Sequence, residues 1–185
     1  QAMPKQFALW RGKPVVRHSV EALIAAGAEK IAIAIPADFH DLAVTSLTGL
    51  DRTILVAGGE TRQQSVHLAL EALGDTVPFV LIHDAARPDL PGTVIDRLLG
   101  ALKQYPGAIP VVPVVDSLAF DDGGMMSGTA PRESLRRVQT PQAFHLAEII
   151  TAHRNWPGAA EAGDDAQVMR SAGGEDEFVD GDERL

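Results

Sequence analysis

Phe79-Val80-Leu81-Ile82 runs directly into His83-Asp84-Ala85-Ala86-Arg87-Pro88. Four apolar residues without alternation predict a strand buried on both faces, and such strands belong to sheets covered by helices. In open α/β sheets ligands bind beyond the carboxyl ends of the strands. The polar string closing this run therefore falls where a site would lie. A carboxylate at Asp84 can hold a divalent cation, and Ala85 and Ala86 let a ligand approach the backbone. Arg87 can grip phosphate with its planar fork. Taken alone, the string also reads as a strand end with an aspartate cap and an arginine ion pair.

The remainder of the chain alternates strand and helix. Apolar residues at helical spacing (Val15, Val16, Val20, Leu23, Ile24) precede a helix stop at Gly27. A strand over Lys30–Ile35 ends at Pro36, and Asp38–Leu50 predicts a helix. A strand over Thr53–Val56 leads through Gly58-Gly59 into a helix carrying Leu68, Leu70 and Leu73. Pro91–Gln104 predicts another helix. In Ala108–Val115 the prolines at 110 and 113 predict an edge or irregular strand. Residues 116–137 hold a hairpin signal, Asp121-Asp122-Gly123-Gly124, in a polar, sparsely apolar context. They predict a projecting arm, stable only when covered, most simply by a second copy of the chain. Helices over Leu146–Trp156 and 165–172, the latter capped by Asp164 or Asp165, precede a last strand at Glu177–Asp182. The expected fold is one α/β domain over residues 1–185. It is Rossmann-like, with a mostly parallel central sheet, helices on both faces and a β-arm.

A net charge of −9 argues against a general nucleic-acid surface, so an anionic ligand must meet a local cluster of Lys and Arg. The absence of cysteine excludes disulfides and thiolate metal sites and fits a cytoplasmic setting. No apolar run is long enough to span a membrane, and no signal peptide is expected. His18, His40, His67, His145 and His153 show no metal-ligand spacing and read as surface or core residues. His83 reads as orienting the strand end.

Gly58 and Gly59, between a strand and a helix, allow close backbone approach, and the helix N-terminus behind them favours anions. Ser65, in the first turn or two, can bond a base or ribose. A tight βα turn accounts for the glycines equally well, and the spacing matches neither a Walker loop nor a dinucleotide fingerprint. Lys5, Arg11 and Lys13 around an early turn read as a solvated face, with a ligand role for Lys5 as the alternative.

Taken together, Pro4-Lys5-Gln6-Phe7, Gly12-Lys13-Pro14-Val15, Gly58-Gly59-x-x-Arg62-x-x-Ser65-Val66 and His83–Pro88 carry a family resemblance. Asp116-Ser117, Gln139-Thr140-Pro141-Gln142-Ala143-Phe144 and Asp164-Asp165-Ala166 complete it. In this order they resemble the 2-C-methyl-D-erythritol 4-phosphate cytidylyltransferases, over essentially the whole chain. The ribitol-5-phosphate cytidylyltransferases share much of the pattern, usually with valine where Ala86 stands.

The resemblance implies attack of an alcohol phosphate on the α-phosphorus of CTP, with release of pyrophosphate and no covalent enzyme intermediate. It implies catalytic roles for Lys5, Arg87 and Arg132. Nucleotide contacts fall to Gly58, Gly59, Arg62, Ser65, Asp84 and Ala85, and acceptor contacts to Asp84, Arg87, Ser117, Arg132 and Thr140. Asp84 is the implied ligand of Mg²⁺ or another divalent cation. The partners implied are CTP, methylerythritol phosphate and a second subunit that lends its 116–137 arm. Members of the family begin with a strand and a glycine-rich loop ahead of Pro-Lys-Gln and end with an Asn-x-Lys-x-Thr segment. Neither stands in this sequence, so both are expected in the intact protein, and fusion to the cyclodiphosphate synthase of the same pathway stays open. Competing readings are another sugar nucleotidyltransferase, a non-catalytic nucleotide-binding module on the same sheet, and a monomer in which Asp116–Arg137 is only a loop.

Overall fold

The computed structural model describes residues 3–74, 77–157 and 162–185. A short hairpin, β1 (Leu9–Trp10) and β2 (Lys13–Pro14), opens the chain. Then follow α1 (Val15–Ala25), β3 (Ile31–Ile35), α2 (His40–Ser46), β4 (Thr53–Ala57), α3 (Arg62–Leu73), β5 (Phe79–Ile82), α4 (Gly92–Ala101) and β6 (Gly107–Pro113). The arm is β7 (Ala119–Asp122) and β8 (Met125–Thr129). The chain returns through β9 (Arg136–Val138) and β10 (Gln142–His145) to α5 (Leu146–Arg154), α6 (Asp165–Ser171) and β11 (Asp176–Asp180).

The α/β architecture is the expected one, and side-chain alternation assigns its faces. Val80 and Ile82 of β5, Ile109 and Val111 of β6 and Phe144 of β10 pack with α3, α5 and α6. Phe79 and Leu81, Ala108 and Ala143 turn the other way, onto Val94, Leu98 and Leu102 in and just after α4. Ile31, Ile33 and Ile35 of β3 meet Val16 and Val20 of α1 and Ala43 of α2, while Ala32 faces the first cluster. Helices therefore cover both faces, which is why β5 carries no polar residue.

The sheet is mixed rather than mostly parallel. β3 pairs β4 in parallel and β11 pairs β6 in parallel, but β10 runs antiparallel to both β5 and β6. The cause is the arm. It departs where β6 ends, so the returning chain re-enters from that same end and must run backwards.

β6 is also not the edge strand its prolines suggested. It is buried from Gly107 to Val112 and flanked by β11 on one side and by β10 and β9 on the other. Pro110 sits where the second partner changes, between the Ala108 pairing with β10 and the Val111 pairing with β9. Its carbonyl accepts from Gln139 N at 2.9 Å across that junction. The N–H it lacks would point to the same side, into the interruption of the ladder, so the proline breaks nothing.

The helix expected over Asp38–Leu50 is shorter. A 3₁₀ turn (Ala37–Phe39) precedes α2, and Gly49, at φ +81°, follows its end. β3 and β5 are not hydrogen bonded to each other. Between them runs an apolar slot of about 530 Å³, lined by Ile31, Ile33, Val66, Phe79 and Leu81 and reaching Ser65 and Asp84 at one end.

Candidate active site

The carboxyl end of β4 turns through Gly58 and Gly59 into α3. Gly58 N donates to Ile35 O at 2.8 Å, holding the turn against the end of β3. A Cβ on Gly58 would lie 3.1 Å from Ser65 Oγ and 3.3 Å from Ile35 O, and one on Gly59 would strike the Gln64 side chain. Glycine at 58 thus lets Ser65 and Ile35 close on the turn, while at 59 only the Gln64 side chain would have to move. Ser65 supplies the internal brace: Oγ accepts from Gly59 N at 3.0 Å and donates to Thr61 O at 2.9 Å. Thr61 caps α3 by accepting from Gln64 N, which leaves the first amides of the helix at the mouth of the turn.

The loop beyond the carboxyl end of β5, His83–Arg87, is held from three sides. His83 Nε2 bonds Arg87 O at 2.9 Å, so that nitrogen carries the proton and Nδ1 is the acceptor. Thr140 Oγ1 donates to Nδ1 at 3.2 Å and accepts from Asp84 N at 3.1 Å. Burial pushes the His83 pKa below the usual imidazole range, against smaller raising effects of the Arg87 carbonyl and Asp84, so the ring stays neutral. From behind, Ser19 Oγ on α1 lies 3.2 Å from Ala85 O and 3.3 Å from Arg87 O. A network this complete fixes the loop before any ligand arrives.

Asp84 projects from that loop, 37% exposed, between two guanidinium groups. Arg62 Nε lies 3.3 Å from Oδ1 and Arg87 Nε 3.5 Å from Oδ2. Arg62 reaches the other way as well, donating from Nη1 to Asp165 Oδ2 at 2.9 Å. Burial works against the charge of Arg62, but Asp165 and then Asp84 outweigh it and hold its proton more firmly than usual.

The structure thus joins Gly58, Gly59, Arg62, Ser65, Asp84, Ala85, Arg87 and Thr140 into one cluster. Three expected site residues make no hydrogen bond or ion pair with this cluster among the described residues. Lys5 is exposed on the 3₁₀ turn Lys5–Phe7, whose Phe7 anchors it on α1, β3 and α2. Ser117 and Arg132 belong to the arm, where Arg132 Nη1 donates to Val115 O at 2.9 Å. Sequence reasoning passed over Asp165 and His153. The paired acids at 164–165 read as alternative caps; Asp164 is the cap, accepting from Gln167 N, and Asp165 turns inward.

Among the described residues no group of three or more His, Asp or Glu side chains could cage a metal ion. A single half-buried carboxylate at a strand end fits instead a magnesium ion that draws most of its ligands from phosphate and water. Among the described residues, no helix is long and apolar enough to cross a membrane.

Comparison with known proteins identifies relatives of the whole chain. The bifunctional enzyme IspD/IspF of Erythrobacter litoralis (strain HTCC2594) is 57% identical over 186 residues, covering 100% of this chain and 48% of that protein. This chain therefore spans about half the length of such relatives. The 2-C-methyl-D-erythritol 4-phosphate cytidylyltransferase of Cereibacter sphaeroides (strain KD131) is 44% identical over 183 residues, 97% of this chain and 80% of its own. The crystal structure of the cytidylyltransferase of the same description from Thermus thermophilus superposes with a TM-score of 0.86 at 34% identity. That match covers 99% of this chain and 86% of the other. The family model described as IspD, 2-C-methyl-D-erythritol 4-phosphate cytidylyltransferase, matches residues 1–184. With α/β fold, glycine turn and guanidinium-flanked Asp84 in place, the chain belongs to the 2-C-methyl-D-erythritol 4-phosphate cytidylyltransferase family.

Proposed function

We propose that the intact protein transfers a cytidylyl group from CTP to 2-C-methyl-D-erythritol 4-phosphate, releasing pyrophosphate. The observation that carries this reading is the meeting of the Gly58–Gly59 turn, the start of α3 and Asp84 between Arg62 and Arg87 at the carboxyl ends of β4 and β5. The glycine turn and helix amides receive the nucleotide, with Ser65 bracing the turn and Ala85 bounding the floor. Arg62 takes a phosphate oxygen. Arg87, three residues from Asp84 on the rigid loop, meets the acceptor phosphate, and Thr140 fixes the edge of that subsite. Displacement at phosphorus needs no covalent partner from the protein, so the chain's work is alignment and charge stabilisation. Lys5 stabilises charge gathering on the α-phosphoryl group. Asp84 would hold Mg²⁺, which when bound neutralises phosphate charge.

Ser117 and Arg132 act, in this reading, in the site of a second subunit. The arm supports it: Phe120, Met125 and Met126 stand 56%, 74% and 70% exposed on a hairpin with no core of its own. A homodimer would cover them and bring Arg132 to a partner's acceptor phosphate. The reaction is assigned to the cytoplasm, where CTP is available.

Pyrophosphate release by the full-length protein with CTP and Mg²⁺ tests the proposal, with methylerythritol phosphate compared against ribitol phosphate. Release with the first acceptor alone is expected. Release with ribitol phosphate alone would keep the chemistry and replace the acceptor. CTP binding without release for either would make the protein a binding module. In the active enzyme, Lys5→Ala retaining most of its turnover would remove Lys5 from the mechanism.

A further inference from the structure

Arg62 is the hinge between the exposed site and a buried acidic group that the proposed chemistry leaves unused. Asp165 and His153 are each 1% exposed at the side chain. Asp165 Oδ1 accepts from His153 Nε2 at 3.2 Å and Oδ2 from Arg62 Nη1 at 2.9 Å, so its two oxygens serve two different donors. A carboxylate this deep stands only when paired, and with both oxygens engaged it has no alternative position. His153, on α5, stacks on His67 of α3 with ring centroids 5.9 Å apart and planes 18° from parallel. The start of α6 is tied to β10 as well: Gln142 accepts from Ala166 N at 3.0 Å and donates to Asp164 at 3.3 Å. Gln142 lies two residues from Thr140, which holds the backbone of Asp84.

From these contacts we infer that Asp165, backed by His153, is a positioning residue that keeps Arg62 from closing on Asp84. The reasoning is geometric. A free arginine beside a lone carboxylate pairs with it through two parallel bonds. Here Asp165 draws Nη1 inward, so only Nε faces Asp84, at a loose 3.3 Å, and Nη2 has no hydrogen-bond partner among the described residues. Asp84 thereby keeps lone pairs for a cation, and Nη2 stays available to a phosphate oxygen. Without the negative charge at 165, Arg62 would swing onto Asp84 and neutralise it, and both functions would weaken together. The inference rests on the proposed nucleotide and magnesium roles of Arg62 and Asp84 and adds what sets them.

The test uses full-length protein and binding of the Mn²⁺–CTP complex, read by electron paramagnetic resonance without acceptor, in a cycle of Asp165→Asn, Arg62→Gln and the double variant. Outer partners of metal ligands typically contribute 10–100-fold to affinity, so about tenfold weaker binding is expected for Asp165→Asn. The double variant should bind no more weakly than Arg62→Gln alone, because Asp165 acts only through Arg62. Wild-type affinity in Asp165→Asn, or losses that multiply in the double variant, would overturn the inference. A purely structural role would lower thermal stability without this coupling. Should Asp165→Asn fail to fold, the Nη1–H resonance of Arg62 in the wild type, identified by its loss in Arg62→Lys, decides the matter. Slow exchange with water supports the clamp, and fast, averaged exchange overturns it. Failure of pyrophosphate release in a wild type that binds Mn²⁺–CTP would count against the proposed reaction alone.

Discussion

Thr140 Oγ1 stands between His83 Nδ1, 3.2 Å away, and the backbone N–H of Asp84, 3.1 Å away, donating to the first and accepting from the second. One hydroxyl thus ties the imidazole that supports Arg87 O to the residue carrying the site's carboxylate. Thr140→Val keeps the shape and removes both bonds, leaving two partly buried polar groups unpaired. Expected is a loss of about 1–3 kcal/mol of stability, visible in denaturant unfolding, with lower turnover. Thr140→Ser should recover most of both.

His83 gives a pH dependence with a definite sign. Its pKa in the folded protein is depressed, burial being the main cause, and unfolding returns it to about 6.5. Between the two values the unfolded chain binds more protons. The stability held by neutral His83 is therefore complete above about pH 6.5 and is lost as pH falls through the folded value. Melting temperatures followed downward from pH 7.5 should decline, and His83→Gln should flatten that decline.

Asp176 predicts the opposite sign. Both its carboxylate oxygens are buried without a hydrogen-bond partner among the described residues, at the start of β11, and burial raises its pKa to about 6, against the opposing pull of Arg170. The folded protein binds the extra proton here, so stability falls as pH rises toward 6 and the penalty is full above it. Asp176→Asn should raise stability at pH 7.5 by about 1–3 kcal/mol, an advantage that disappears near pH 4. Equal melting temperatures for the two proteins at pH 7.5 would count against this account.

The arm supplies a prediction about assembly. Phe120 and Met126 are exposed on a hairpin whose residues make no core. Phe120→Asp combined with Met126→Asp should convert a dimer to a monomer at micromolar concentration in sedimentation, with the unfolding of the core little changed. A wild-type monomer would remove the partner role assigned to Ser117 and Arg132.

The parts of the site legible in the sequence were those whose signal is local. The apolar run of β5 announces a covered strand, and Gly58-Gly59 announces a turn that must admit Ser65. What stayed hidden depends on distance in the chain. Asp165 pairs with Arg62 across 103 positions and with His153 across 12. A second acid at a helix start looks like a spare cap until its neighbours are known. Pro110 misled for a related reason. A proline forbids a ladder bond, and only the register shows that its side of β6 faces a gap between β9 and β10.

Pro113 and Arg136 are register partners on β6 and β9. The chain between them departs and comes home at a single rung, so residues 114–135 form a graft whose roots touch each other. Lengthening, shortening or replacing that graft shifts no strand of the central sheet and bends no bond around Asp84. On the proposed reading, the arm's share of the acceptor site and the pairing of subunits can therefore change without disturbing the nucleotide end of the fold.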